Sequence, residues 1–190
     1  MKEIINIRTD AIQSPLNLAV AQSNRAAASK CEDCSAQEDE HMSDGLDVIV
    51  LDDDPGIGEI LSELIESFYT WGEVHCFTEL NKAISFCLTR DIGVAIFVVD
   101  VFLGGLSGFS FLDAIDEKYP TAHEDAIIIS GNANEDVVNM CLASNVNYLL
   151  EKPVKPYALQ LAVRAITAKY LDFAKKLIQN PDFAESVARL

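Results

Sequence analysis

The stretch DVIVLDDDP, residues 47–55, decides how the chain reads. Its first five residues form a short apolar run of the kind found in a strand buried on both faces of a parallel sheet. The run stops at Asp52, Asp53 and Asp54, and Pro55 then opens a helix. Working outward, Ile57, Ile60, Leu61, Leu64, Ile65 and Phe68 recur at spacings of three and four, which predicts one apolar helix face. EVHCF (73–77) predicts a second strand, and Leu80 to Leu88 a second helix with Ala83, Ile84, Cys87 and Leu88 inward. VAIFVVD (94–100) predicts a third strand that ends in an acid, Asp100. A Gly-rich loop follows (103–108), then a helix from Phe109 to Tyr119 stopped by Pro120. AIIIS (126–130) predicts the fourth strand, Glu135 to Ser144 the fourth helix, and YLLEK (148–152) the fifth strand, stopped by Pro153. Pro156 opens a long final helix.

Five apolar strands alternating with five helices imply an α/β fold, a doubly wound five-stranded parallel sheet covered on both faces. The expected organisation is a flexible N-terminal tail over 1–44, a domain over 45–168 and a C-terminal helical extension over 169–190. Hydrophobic residues make up 49% of the 190 residues, enough for a sizeable core. The formal net charge of −16 argues against nucleic acid or an anionic membrane as a direct partner, since both need a basic face. No apolar run reaches the length of a membrane span, and the N-terminus lacks a signal-peptide pattern, so a cytoplasmic protein is expected.

In such a sheet the active crevice lies at the carboxyl ends of the strands. There the first strand contributes Asp52 to Asp54, the third Asp100, the fourth Ser130 and the fifth Lys152. Clustered carboxylates raise one another's pKa unless a cation intervenes, and a hard divalent cation such as Mg2+ suits oxygen ligands. Metal, lysine and hydroxyl together suit a phosphoryl group carried on one aspartate.

Asp52-Asp53, Asp100, Ser130 and Lys152-Pro153, in this order at their strand ends, resemble the signature of a response-regulator receiver domain of two-component signalling. The resemblance covers roughly residues 46–168 and implies the flavodoxin-like (βα)5 receiver fold. It implies that Asp100 is the phosphoacceptor. Asp52 and Asp53, with Asp100 and the backbone carbonyl of Phe102, would hold magnesium. Ser130 would be the switch hydroxyl, Lys152 the phosphoryl-contacting lysine, and Pro153 would follow a cis peptide. The implied partners are a histidine kinase or histidine phosphotransfer protein and an unidentified output protein. The implied function is a stand-alone receiver, a signalling module and not a metabolic enzyme. Four positions depart from the family pattern. Ser130 stands where threonine is commoner. Leu149 stands where an aromatic switch residue is common, with Tyr148 on the opposite strand face. Gly104 replaces a frequent proline, so the loop after Asp100 is expected to be more mobile. Phe102 places a large apolar side chain beside the acyl phosphate, where it is expected to exclude water.

Other readings compete. A phosphorylation-independent dimerisation or scaffold module is opposed by the full set of site residues. An aspartate-nucleophile phosphatase would want a general acid at Phe102. An FMN binder would want Ser, Thr and Gly where Asp52 to Asp54 stand. The glycines at 104, 105 and 108 do not form a dinucleotide fingerprint. Cys31, Cys34 and His41 offer three candidate zinc ligands without a second pair, so incidental tail thiols are the expectation. His75 and His123 fall away from strand carboxyl ends and are expected to be structural or exposed. Met42 is an alternative start. In the final helix Leu159, Val163, Ile166, Tyr170, Phe173 and Leu177 form a heptad seam. Beyond Ala168, Tyr170, Phe173, Leu177 and Ile178 are expected to need a cover, either a homodimer or partner, or the tail folding back. Asn180-Pro181 reads as the cap of a further short helix.

Overall fold

The computed structural model describes residues 5–6 and 45–189. A six-stranded parallel sheet forms its centre, in the order β1 (Ile5–Asn6), β8 (Tyr148–Glu151), β7 (Ala126–Ser130), β4 (Ile96–Asp100), β2 (Val48–Leu51), β3 (Val74–Phe77). The helices are α1 (Pro55–Glu66), α2 (Leu80–Thr89), α3 (Gly108–Ile115), α4 (Glu135–Ala143), α5 (Pro156–Gln179) and α6 (Pro181–Val187). Five of the six strands are the five read from the sequence. Strand alternation divides the core in two. Ile49, Leu51, Phe97, Val99, Ile128 and Leu149 face one layer, with Ala83 and Cys87 of α2, Phe111 and Leu112 of α3, and Val137 and Cys141 of α4. Val48, Val50, Ile96, Val98, Ile127 and Ile129 face the other, with Leu61 and Ile65 of α1 and Leu159, Val163 and Ile166 of α5. Right-handed crossovers dictate this split.

The sheet's winding reverses at β2. From β2 the chain goes outward to β3 and then returns to β4 on β2's other side, with Val48 paired to Val74 and to Ile96. The crevice beyond the ends of β2 and β4 is therefore the topological switch point, where ligands of open α/β sheets bind.

Several expectations need correction. Ile60 and Leu88 sit at helical spacing but are exposed, beyond the edge of the buried stripe. The third helix ends at Ile115, and Tyr119 follows in turns, its hydroxyl donating to the Cys87 carbonyl at 3.1 Å. The loop after Asp100 is a small antiparallel hairpin, β5 (Phe102–Leu103) with β6 (Leu106–Ser107). Its two-residue turn uses positive φ at both Gly104 and Gly105, the requirement of the primed hairpin turns. The tail expected over 1–44 lies outside the described residues except for Ile5–Asn6, which add an unforeseen strand parallel to β8. Cys31, Cys34 and His41 also lie outside them.

At the far pole of the sheet from the crevice, Asp125 is fully buried and is gripped by α5. Lys169 Nζ donates to its Oδ1 at 2.5 Å, and the Tyr170 hydroxyl donates to Oδ2 and lies 3.1 Å from Thr121 Oγ1. Tyr170 is thus covered by its own domain, contrary to expectation. Past this anchor, α6 folds back on α5, with the Phe173 and Phe183 rings edge to face at 6.1 Å. Asn180 Oδ1 caps α6 by accepting from the Phe183 amide at 3.1 Å. His75 lies 3.5 Å from the buried Asp47 carboxylate, which Arg90 also pairs. His123 lies 3.3 Å from Asp113. No described helix is long and apolar enough to cross a membrane.

Candidate functional site

The crevice collects acids because two strands end there in aspartate. Asp52 follows β2 directly and is 1% exposed, while Asp100, the last residue of β4, is 7% exposed. Asp53 is exposed at the mouth. One carboxylate oxygen each from Asp52, Asp53 and Asp100 lie within 4.8 Å of one another. Asp54 turns away to cap α1, its Oδ1 accepting from the amides of Gly56 (2.9 Å) and Ile57 (3.2 Å). That local cap, together with Pro55 at the first helical position, makes the chain turn where it does. The turn leaves the Asp54 amide donating to Asp52 Oδ1 at 3.1 Å.

Lys152 enters from the end of β8, and its peptide with Pro153 is cis. Its ammonium bridges Asp100 Oδ2 at 2.7 Å and Asp52 Oδ2 at 2.8 Å. The Lys152 amide donates to the Ser130 carbonyl at 2.8 Å, which ties the lysine to the end of β7. Burial alone would lower the lysine's pKa, but the bonds and charges of Asp100 and Asp52 outweigh it and raise it. Burial raises the Asp52 pKa, the Asp100 charge adds to this, and the Lys152 and Asp54 donors compensate only in part. With three carboxylates facing one ammonium, the crevice remains short of positive charge. An all-oxygen donor set with this deficit fits a hard divalent cation.

The structure brings Asp52, Asp53, Asp100 and Lys152 together. Ser130 is buried at the end of β7, but its hydroxyl is engaged locally, donating to the Asn132 carbonyl at 2.8 Å and accepting the Asn132 amide at 3.2 Å. The Phe102 amide lies 3.5 Å from Asp100 Oδ1, and its ring is 62% exposed beside the crevice. Leu149 is buried, and Tyr148 packs on the opposite layer, as strand alternation requires.

Two glycines hold the site in ways the sequence reading did not foresee. The Gly104 amide donates to Asp53 Oδ2 at 2.8 Å, fastening the hairpin turn to the carboxylate cluster. Gly108 starts α3 against the back of the site, and a Cβ there would overlap the Asp100 carbonyl and lie 2.7 Å from Val99 Cγ1. A glycine at the junction of the Gly-rich loop and the following helix was the available signal for the second.

A switch-point crevice of an open parallel sheet, lined by carboxylates and one bridging lysine, defines a doubly wound α/β domain with an acidic site at its strand ends. The family model for the response regulator receiver domain matches residues 48–164, and the chain belongs to that family. Among solved structures, the chain resembles a receiver domain protein from Clostridium thermocellum, with 24% identity, 66% of this chain and 98% of that chain covered and a TM-score of 0.57. It also resembles the chemotaxis protein CheY4 of Vibrio cholerae, with 18% identity, 64% and 98% covered and a TM-score of 0.55. A CheY-like receiver domain protein from Methanospirillum hungatei gives 19% identity, 69% and 97% covered and a TM-score of 0.55. At these identities the likeness is one of fold. Among curated proteins none matches the sequence.

Proposed function

We propose that the chain is a cytoplasmic receiver that accepts a phosphoryl group on Asp100 from the phosphohistidine of a histidine kinase or histidine phosphotransfer protein. One observation carries the reading: the Lys152 ammonium spans Asp100 and Asp52 in a switch-point crevice that still has excess negative charge. In the reaction an Asp100 carboxylate oxygen forms the O–P bond as the donor's N–P bond breaks, and the electron pair of that bond returns to the imidazole nitrogen. Lys152 keeps a positive charge beside the acceptor oxygen and pairs with the transferred group in the product. Ser130 donates its hydroxyl to a phosphoryl oxygen by giving up its Asn132 partners. Asp52, Asp53, Asp100 and the Phe102 carbonyl are the residues that would hold Mg2+. Magnesium held there would supply charge neutralisation at the phosphoryl oxygens.

The new charge on Asp100 signals through altered protein–protein contacts, by shifting the loops and helices around the crevice. The module is a signalling device and not a metabolic enzyme. A homodimer through the C-terminal helix would draw on Phe173, Leu177 and Ile178, since Tyr170 is already committed to Asp125. Sedimentation of the full chain tests that contact. The function itself is tested by intact mass after incubation with acetyl phosphate, with and without Mg2+, for wild type and Asp100→Asn. A magnesium-dependent gain of one phosphoryl group, lost in the variant, is expected. No gain from acetyl phosphate or from a histidine-phosphorylated donor protein would refute it and favour the scaffold reading.

A further inference from the structure

The sheet has two flanks, and its own chain closes one of them. On the β8 side, Ile5 and Asn6 pair in parallel with Tyr148 and Leu149. The Lys152 amide faces β7, so alternation along an extended strand turns the backbone of Glu151 and Leu149 toward β1. The exposed flank of a strand is a row of unpaired donors and acceptors, a template for any extended chain. Proteins usually guard it with charge or proline, yet the part of β8 paired with β1 is Tyr148 and Leu149, and Glu151 and Pro153 come only at the strand's end. The β3 flank is built differently, with Glu73 before it and His75 within it.

The occupant is poorly committed. β1 has two residues, so its ladder is short. Residues 7–47 join it to β2, which lies four strand spacings away, or roughly 19 Å. At about 3.3 Å per extended residue a connection of that length exceeds the gap several times over.

We propose that the outer flank of β8 is a strand-addition site for an extended polypeptide, and that its occupant in the resting protein is the chain's own Ile5–Asn6. Recognition is by main-chain hydrogen bonds in parallel register, so the ligand class is an extended peptide segment, not a helix or a folded face. The site lies three residues before Lys152 on the same strand and is distinct from the carboxylate crevice.

The test is residue-resolved amide exchange on the full-length chain, wild type against Ile5→Pro, which takes an amide out of β1 and leaves every residue of the domain in place. Exchange at Leu149 is expected to be about tenfold faster in the variant, while Val98 in the central strand stays equally protected. The peptide MKEIINIRT, supplied above the millimolar effective concentration of a tethered segment, is expected to slow Leu149 exchange again in the variant. Equal Leu149 exchange in wild type and variant would overturn the proposal, as would failure of the peptide to restore protection. A wild-type dimer that Ile5→Pro converts to monomer would also overturn it, because the occupant would then be a second copy's strand.

Discussion

Replacing Lys152 by methionine removes one positive charge and keeps an unbranched side chain of similar length. In the folded protein that charge serves two buried carboxylates, at 2.7 Å from Asp100 and 2.8 Å from Asp52. Breaking a buried pair from one side typically costs about 3–5 kcal/mol, because the partner stays buried without compensation. The lysine side chain is 20% exposed, so water offsets part of that loss, and we take about 2–3 kcal/mol. For a domain of this size that lowers the melting temperature by roughly 5–10 °C. Urea unfolding at neutral pH without divalent cations is the assay, with the midpoint followed by far-UV circular dichroism. Millimolar Mg2+ is expected to recover more stability in Lys152→Met than in wild type, since Lys152 is the cation paired with Asp52 and Asp100 among the described residues. In a double-mutant cycle with Asp100→Asn, the two losses are expected to be less than additive by about 1 kcal/mol or more. A loss below about 1 kcal/mol for Lys152→Met, with additive behaviour in the cycle, would show that the lysine does not balance the crevice.

Gly108→Ala is expected to cost roughly 2 kcal/mol in urea unfolding, because its Cβ meets backbone at the Asp100 carbonyl and cannot be relieved by a rotamer change; a neutral substitution would refute the tight approach. Phe102→Asn is expected to speed loss of the phosphoryl group several-fold, followed by intact mass after removal of the donor, because the exposed ring no longer shields the acyl phosphate; an unchanged rate would refute the shielding role. Burial pushes Tyr69 and Tyr119 up to about 12 from an ordinary 10.0. Their contribution is complete below pH 10 and is lost as pH rises toward 12, because the unfolded chain releases those protons first. Unfolding from pH 9 to 11.5 should therefore show falling stability, with a shallower slope in Tyr119→Phe, and equal slopes would argue against a buried neutral Tyr119.

The strands were legible because a parallel strand buried on both faces is a continuous apolar run, and four of the five runs here end at a residue with chemistry. The carboxylate cluster was legible for the same reason, since strand ends converge whatever the loops do. The hairpin after Asp100 was not. Gly104 and Gly105 look like loop glycines, and only their pair of positive φ values makes the primed turn that returns the chain. Side-chain direction was also hidden. Ser130 falls at the expected strand end, yet its hydroxyl has nearer partners in Asn132 than in the crevice. Ile60 and Leu88 satisfy helical spacing but lie past the rim of the layer below. Ile5–Asn6 is too short to show a period, and its partner strand is far away in sequence. The covering of Tyr170 depends on Asp125, an acid before a strand, and no local pattern announces that a distant helix will reach it.

The Asp125 anchor divides α5 mechanically. At about 1.5 Å per residue the helix runs roughly 20 Å from Pro156, near the crevice, to Lys169 and Tyr170, and roughly 14 Å more to Gln179. Short of the anchor the helix is seated on the sheet through Leu159, Val163 and Ile166. The hairpin of α5 and α6 therefore leaves the domain on the opposite side of the anchor from the crevice, and the buried Asp125 carboxylate fixes its point of departure.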